Sequence, residues 1–558
     1  MANRSIQTDP EPEVTIRFSD RQVVWALMAL AAVLYAIAAK MRLGMPPLGD
    51  EPHYLIESIA LGKYHTFDLT QAYANGDFRV FYPQDIQAHV YPNADGVMVP
   101  LHNFGGPILW TIPFMIWGRI GAQAVVVLAS VLTVGIMFRI MREMGIARSY
   151  ATIVTGIFVV ATPIYMYASM LFIDPFGALF VAYAVRVLVA ARPAKWQVAL
   201  ASAGLGWMPW VHGRFTLFTV ILGALLLLRV DRGGAKGVRA LSAYIPAAVP
   251  MLVLLLALEI FNYTHYQSLN PAPGNSALGD GLFQIPPQRG LAGLLFDRQY
   301  GLISHFPVLA LAVPGMFLVG RRNSRMQAHW MLLAVILPYM LAISTFRTWW
   351  AGFTPPGRLP VVLVPILAFY VAVTLQRLHS WFPLALALAT GVFGFLITFT
   401  GDVNLFWRFT SGGGDGNDPI FTWLAGKIRQ PDIARFIPAV ETNPGTGENY
   451  WPFVLAFAVC VAVAVLWGKL APADRIPDRT LWNYIPTPRE LLASVRRRPA
   501  PAASSAPAPA PASKAPGAPA AAPEPVPVPA AEAEHSEGES DQPKLDWPFP
   551  PADRTSQH

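Results

Sequence analysis

Two adjacent carboxylates, Asp50 and Glu51, follow the first membrane-length apolar run, in Gly49-Asp50-Glu51-Pro52-His53-Tyr54-Leu55. Carboxylates at a membrane edge are costly to desolvate, so a chain that keeps two there has a use for them. In a chemical role Asp50 is a general base and Glu51 its catalytic partner or a metal ligand. In a structural role the pair faces the positive end of a helix beginning near Pro52. Asp174, in Leu171-Phe172-Ile173-Asp174-Pro175-Phe176, is a third candidate catalytic carboxylate; its structural alternative is an N-cap ahead of Pro175. Three carboxylates in one site repel unless a cation or a shared proton intervenes. Oxygen ligands of this kind suit a divalent ion such as Mg2+, Mn2+ or Ca2+, which makes Asp50 and Asp174 the candidate metal ligands.

Other polar residues suit substrate binding. His53 and His102 flank a long loop, and Pro100-Leu101-His102-Asn103-Phe104-Gly105-Gly106-Pro107 carries glycines that permit close backbone approach. His102 could orient an acceptor or a carboxylate, or serve as an interfacial histidine. Arg298 sits in Phe296-Asp297-Arg298-Gln299-Tyr300-Gly301, and Arg347 and Arg358 bracket a turn containing Trp349 and Trp350. Guanidinium forks bind phosphate, and the tryptophans could stack on a sugar. The alternatives are arginines snorkelling to the interface and tryptophans in the headgroup belt. His212 with Arg214, and His305, are further candidates with less to recommend them.

The elements that must position these residues are membrane helices. Of 558 residues, 54% are hydrophobic and 13% charged, with mean hydropathy +0.40, more apolar surface than a soluble protein can hide. About twelve segments, within a range of roughly eleven to thirteen, have the length to span a bilayer as helices. They lie near 23–41, 121–138, 150–168, 174–191, 196–211, 214–229, 242–261, 302–320, 328–346, 359–375, 381–400 and 451–468. The runs are apolar on all sides, unlike the alternation of a β-barrel strand. Residues 107–118 are apolar but short, which suits an interfacial or re-entrant helix. The fold class is therefore an all-α polytopic membrane protein. Asp9, Glu11, Glu13 and Asp20 precede the first run, unlike a basic signal-peptide start, so that run is read as an uncleaved span.

Basic residues fall between spans in alternate turns: Arg139, Arg142 and Arg148, then Arg192 and Lys195, then the clusters around 229–239 and 321–325, then Arg377. The positive-inside rule places the N-terminal segment 1–22 in the cytoplasm and, with twelve spans, the C-terminal segment 469–558 there too. The same clustering between spans argues against a nucleic-acid partner for the +7 net charge. The outer loops are then 42–106, 262–301 and 401–450, around a transmembrane domain of 23–468. The tail from about 499 is Ala- and Pro-rich and reads as disordered. The single cysteine, Cys460, permits no disulfide framework within one chain. P-loop, HExxH and Gly-x-Ser-x-Gly patterns are missing, against a nucleotide-driven pump, a zinc protease or a serine hydrolase.

Together the Gly49-Asp50-Glu51 motif, the His102 to Pro107 stretch, Asp174, the Phe296 to Gly301 stretch and the Trp349 to Arg358 turn resemble the GT-C superfamily of integral-membrane glycosyltransferases. The similarity is strongest to its family-39-like and aminoarabinose-transferase-like bacterial branch, over about residues 20–400. That resemblance implies a GT-C-like fold whose long first extracytoplasmic loop bears interfacial helices. It implies transfer of a sugar from a polyprenyl-phosphate donor to an envelope glycan, lipid or protein acceptor, with inversion. It places Asp50 as base or orienting group, Asp174 as arranger of acceptor or metal, and Arg298, Arg347 and Arg358 on the donor phosphate. The setting is the bacterial inner membrane, with the site on the extracytoplasmic face. Two alternatives stay open: a transporter or flippase of lipid-linked glycans, and a non-catalytic partner in envelope-glycan assembly. A transporter would place charge near mid-membrane and often shows internal repeats, whereas here the charges gather at span ends.

Overall fold

The computed structural model describes residues 19–92, 96–230, 241–270, 282–319, 323–352, 354–403, 419–428, 436–440 and 448–470. These belong to one compact unit, Met1–Thr487. The Ala/Pro-rich tail, the basic turn at 231–240 and parts of the loops 262–301 and 401–450 lie outside the described residues. Among the described residues the chain is helical apart from one antiparallel pair, Val90–Pro92 with Met98–Pro100, in which Val90 faces Pro100.

Seven described helices are long and apolar enough to cross a membrane, and they mark the chain as a membrane protein. They are Asp20–Leu43, Arg119–Glu143, Ile245–Tyr266, Met326–Ser344, Leu359–Leu378, Trp381–Gly401 and Trp451–Leu470. The first shows how sequence sets orientation. Val24, Leu27, Ala31, Tyr35 and Ala38, at helical spacing, are buried, while Trp25, Leu30, Val33 and Ile37 stand exposed as a lipid-facing side would. The stretch Leu359–Leu378 is the most deeply buried of the seven. Its helix, Val364–Leu378, packs on Arg119–Glu143, Arg148–Val160 and Ala312–Leu318. Arg358 immediately precedes this central element.

Two predicted spans are interrupted at an internal proline. Residues 150–168 divide into Arg148–Val160 and Pro163–Ala168, with Thr162 extended at φ −139°, ψ 164°. Pro163 lacks the N–H that would continue the ladder and pushes the residue before it out of the helical region. Residues 302–320 divide at Pro307 for the same reason, into Leu302–His305, a 3-10 turn Pro307–Leu311 and Ala312–Leu318. The short apolar helix expected at 107–118 forms as Gly105–Trp117. Its first turn comes so close to the Trp210–Val211 backbone that a Cβ on Gly105 would lie 2.3 Å from the Trp210 carbonyl carbon. Asn103 Nδ2 donates to Pro209 O at 2.7 Å in the same contact, and so seats the loop that carries His102.

Glu51 holds this end of the bundle together. Its Oε2 accepts from Arg42 Nη2 at 2.5 Å and from Leu48 N at 2.9 Å, and its Oε1 accepts from Leu171 N at 2.8 Å. Both charged side chains are fully buried. Both oxygens are thus committed to the end of the first helix, the turn after it and the segment before Asp174. The expectation that Glu51 acts as a catalytic group or metal ligand is corrected: it is a structural clasp beside the site. Glu51→Gln would leave Arg42 buried without its counter-charge and should destabilise the protein by about 3 kcal/mol or more. A thermal melt of the purified variant in lipid nanodiscs checks this, and wild-type stability would refute it.

Candidate functional site

Arg358 is brought to the end of the central helix by a loop with left-handed residues at Ala351 (φ +66°), Gly352 (+74°) and Gly357 (+74°). Tyr167 anchors that loop by donating to Pro355 O at 2.7 Å. The guanidinium then meets two carboxylates from distant parts of the chain. Arg358 Nη2 donates to Asp50 Oδ2 at 2.5 Å, and Nε approaches Asp174 Oδ2 at 3.4 Å. The third nitrogen, Nη1, donates to Ala351 O at 3.1 Å, and the group lies over the Phe172 ring, 4.5 Å from its centroid. Arg214 Nη2 donates to the other oxygen of Asp174. His102 Nε2 stands 3.9 Å from Asp50 Oδ1. Two carboxylates therefore face two guanidiniums in a nearly water-free pocket, and the set is charge-balanced.

Neither aspartate does what its capping alternative requires. Asp50 occupies the N-cap position of Glu51–Lys63, yet its conformation is helical and its side chain makes no cap bond. Asp174 is the first residue of Asp174–Val189, and its side chain turns to the arginines. Of the pair, Asp50 is the accessible one, with 19% of its side chain exposed against none for Asp174. Burial alone would raise the Asp50 carboxyl, but the Arg358 charge, with help from His102, outweighs it and holds the group well below the usual carboxylate range. Arg358 stays protonated despite burial because Asp50 and Asp174 flank it.

Beside Asp50 lies a histidine cluster. His53 stacks on His89 with centroids 3.7 Å apart, and its Nδ1 is 3.1 Å from Tyr73 Oη. His102 lies 5.7 Å from His89 and 6.3 Å from His53, centroid to centroid. Burial, then repulsion from His89 and His102, pushes His53 down to about 3. Burial also lowers His89 and His102, although Asp50 pulls both back up. The cluster is neutral at pH 7.

Of the residues singled out from sequence, Asp50, Asp174, Arg358 and His102 meet, with His53 one turn away. Arg214, a lesser candidate from sequence, joins them through Asp174, and Arg298, Arg347, Trp349 and Trp350 are engaged differently. Arg298 donates through Nε to Ile437 O at 2.9 Å and through Nη2 to Glu448 at 3.1 Å, tying down a different segment. Arg347 is exposed, its backbone held by Gln284. Trp349 is 1% exposed and wedged against Gly293, where an added Cβ would come within 2.6 Å of its ring. Its ring packs on Gly293, Tyr300 and Trp350, whereas the expectation was contact with a sugar or a headgroup. Trp350 is half-buried against Trp349. The metal expectation for Asp50 and Asp174 does not fit this donor set. Both carboxylates are already shared with one guanidinium, and among the described residues no group of three or more His, Cys, Asp or Glu is placed to hold an ion. Arg214 plays a larger part than its sequence context suggests, and His89, Tyr73 and Glu57 join the cluster unforeseen. The signal for Glu57 was its position seven residues after Asp50, on the same helical face.

No protein-family model matches the sequence, and no curated protein does. Some solved structures overlap it. ArnT from Cupriavidus metallidurans in the apo state does so at 14% identity and a TM-score of 0.41, over 80% of this chain and 72% of that one. ArnT from the same organism bound to undecaprenyl phosphate gives 14%, 0.40, 80% and 75%. The archaeal oligosaccharyltransferase AglB from Archaeoglobus fulgidus, in complex with an inhibitory peptide and a dolichol-phosphate, gives 12% and 0.39, over 78% of this chain. The chain spans 62% of that AglB chain, less than two thirds of its length. Overlaps this loose carry no argument about chemistry, which rests on the site alone.

The buried neutral histidines have a consequence for acid stability. Between about pH 6.5 and pH 3 an unfolded His53 binds a proton that the folded one does not, so stability falls as pH falls through that window. The slope is at most about 1.4 kcal/mol per pH unit for each such proton. His53→Asn should flatten the dependence of melting temperature on pH below about 6.5. An unchanged slope would mean that His53 is already protonated in the folded protein.

Proposed function

We propose that the chain is a membrane glycosyltransferase that moves a sugar from a polyprenyl-phosphate donor to an acceptor hydroxyl, with inversion. The observation that carries this reading is Arg358 bridging Asp50 and Asp174: a buried cation suited to phosphate, in contact with an accessible carboxylate suited to act as base. The reaction needs no redox or nucleotide chemistry. The acceptor oxygen forms a bond to the anomeric carbon as the bond from that carbon to the phosphate oxygen breaks. The electron pair leaves with the polyprenyl phosphate, and the hydroxyl proton passes to Asp50 Oδ. Arg358 and Arg214 stabilise the negative charge growing on the leaving phosphate.

Charge balance in the resting site gives the order of events. With Arg358 on Asp50, that carboxylate is a poor base. A donor phosphate competes for the guanidinium, and once Arg358 turns toward it, Asp50 loses its main charge partner and gains basicity. The base is thus released when the leaving group is bound.

The extracytoplasmic side is assigned from the basic turns. Arg142 and Arg148 pair with Asp20, at the start of the Asp20–Leu43 helix, whereas Asp50 follows its other end. A helix of that length separates the two by roughly 36 Å, enough to cross a bilayer. With positive residues inside, the site faces out, on a chain of about twelve crossings in a bacterial inner membrane. The acceptor class is an envelope glycan, lipid or protein.

Asp50→Asn keeps the size of the side chain and removes the base. Transfer should fall by at least about 100-fold while the protein accumulates normally in the membrane. The check is to compare polyprenyl-linked sugars and envelope glycans in cells lacking the chain, complemented with wild type or the variant. A donor that accumulates and a glycan that stays missing are the expected result. Full restoration by Asp50→Asn would remove the base from the mechanism and favour a transporter or a scaffold.

A further inference from the structure

The transfer site has more polar groups than its reaction uses. Glu57 lies two turns along the Glu51–Lys63 helix from Asp50, is 1% exposed, and neither of its carboxyl oxygens has a hydrogen-bond partner. Tyr54, also 1% exposed, presents an unpartnered hydroxyl. His102 Nε2 makes no hydrogen bond and only its 3.9 Å approach to Asp50. The Tyr54 and His102 rings are 5.2 Å apart, and Asp50 acts electrostatically on all three residues. Buried polar groups are ordinarily bonded, so these three leave hydrogen-bonding capacity near Asp50 that the described residues do not use.

The chemistry of these groups identifies the ligand class. Arg358 and Arg214 are already matched by Asp50 and Asp174, and the charge acting on Glu57 is that of Asp50, of the same sign. Burial and that neighbour raise the Glu57 carboxyl well above its ordinary value, so it keeps its proton. A neutral carboxyl offers one donor and one acceptor, as does a tyrosine hydroxyl, and a neutral imidazole nitrogen offers one or the other. A phosphate at Glu57 would meet the charge of Asp50, of its own sign. A sugar hydroxyl, itself donor and acceptor, satisfies each group. Nearby tyrosines do not fill the role: Tyr73 Oη is at His53, and Tyr266 donates to Pro100 O at 2.7 Å.

We propose that Tyr54, Glu57 and His102 form a saccharide subsite that binds hydroxyl groups of the acceptor beside Asp50. The proposal rests on the glycosyl-transfer reading of the site and makes that acceptor a neutral sugar. Glu57 and Tyr54 bind and position; they do not take the proton.

The test is titration calorimetry of methyl hexosides and methyl pentosides into the full chain in lipid nanodiscs, with thermal melts of each variant. Glu57→Leu removes both hydrogen-bonding functions while filling the volume. It should weaken glycoside binding by at least about tenfold, and its melting temperature should hold or rise, because an unsatisfied buried group is gone. Glu57→Gln, which keeps a donor and an acceptor, should bind within about threefold of wild type, and Tyr54→Phe should fall between the two. The proposal is overturned if Glu57→Leu binds like wild type, if its binding loss comes with a lowered melting temperature that Gln does not restore, or if wild type binds none of the glycosides. Donor turnover by the wild-type protein is measured alongside. Glycoside binding that depends on Glu57, without cleavage of any polyprenyl-phosphate sugar, would sink the transferase reading and leave the subsite standing.

Discussion

A guanidinium buried at the end of the central helix must be neutralised, and the rest of the site follows from that requirement. Arg358 is 6% exposed, and an isolated charge there would cost several kcal/mol. Its neutralisation draws Asp50 from the end of the first span and Asp174 from the start of a helix more than a hundred residues later. Asp174 in turn draws Arg214. Buried ion pairs of this sort contribute little net stability, since desolvation consumes most of the Coulombic gain. Their effect is on geometry: each charge is fixed because losing its partner is so costly. Glu51 extends the same logic one residue further, holding Arg42 and the Leu171 backbone so that Asp50 and Asp174 arrive together.

What could be read from the sequence divides along physical lines. A charge in an apolar context stands out, so Asp50, Asp174 and Arg358 were visible as functional candidates, and hydropathy located the helices. Sequence could not separate Asp50 from Glu51. Adjacent helical residues point about 100° apart, and here one carboxylate faces the pocket while the other faces the clasp. It could not tell which of Trp349 and Trp350 was buried, because tryptophan suits core and interface alike. Hydropathy averaged over the local breaks at Pro163 and Pro307, although proline chemistry forecasts both. Glu57 escaped notice since an acidic residue on a short loop helix ordinarily faces water, and only the fold shows it enclosed.

The site combines two regimes. On the Arg358 side, charges are paired and a phosphate has something to compete for. On the side of His53, His89 and His102, buried rings stay neutral and supply hydrogen-bonding capacity without charge. Asp50 lies on the boundary, in contact with Arg358 on one oxygen and near His102 on the other. A carboxylate placed between a cationic half and a neutral half is suited to a displacement in which one reactant carries the anionic leaving group and the other an uncharged hydroxyl.

The coupling of Asp50 to Arg358 is open to direct measurement by a double-mutant cycle. Cleavage of a radiolabelled polyprenyl-phosphate sugar would be followed for wild type, Asp50→Asn, Arg358→Gln and the double variant in lipid nanodiscs. If the two residues act as one unit, each single variant loses nearly all turnover and the double variant is scarcely worse than either. Losses that multiply as for independent sites, or a single variant that turns over normally, would contradict it.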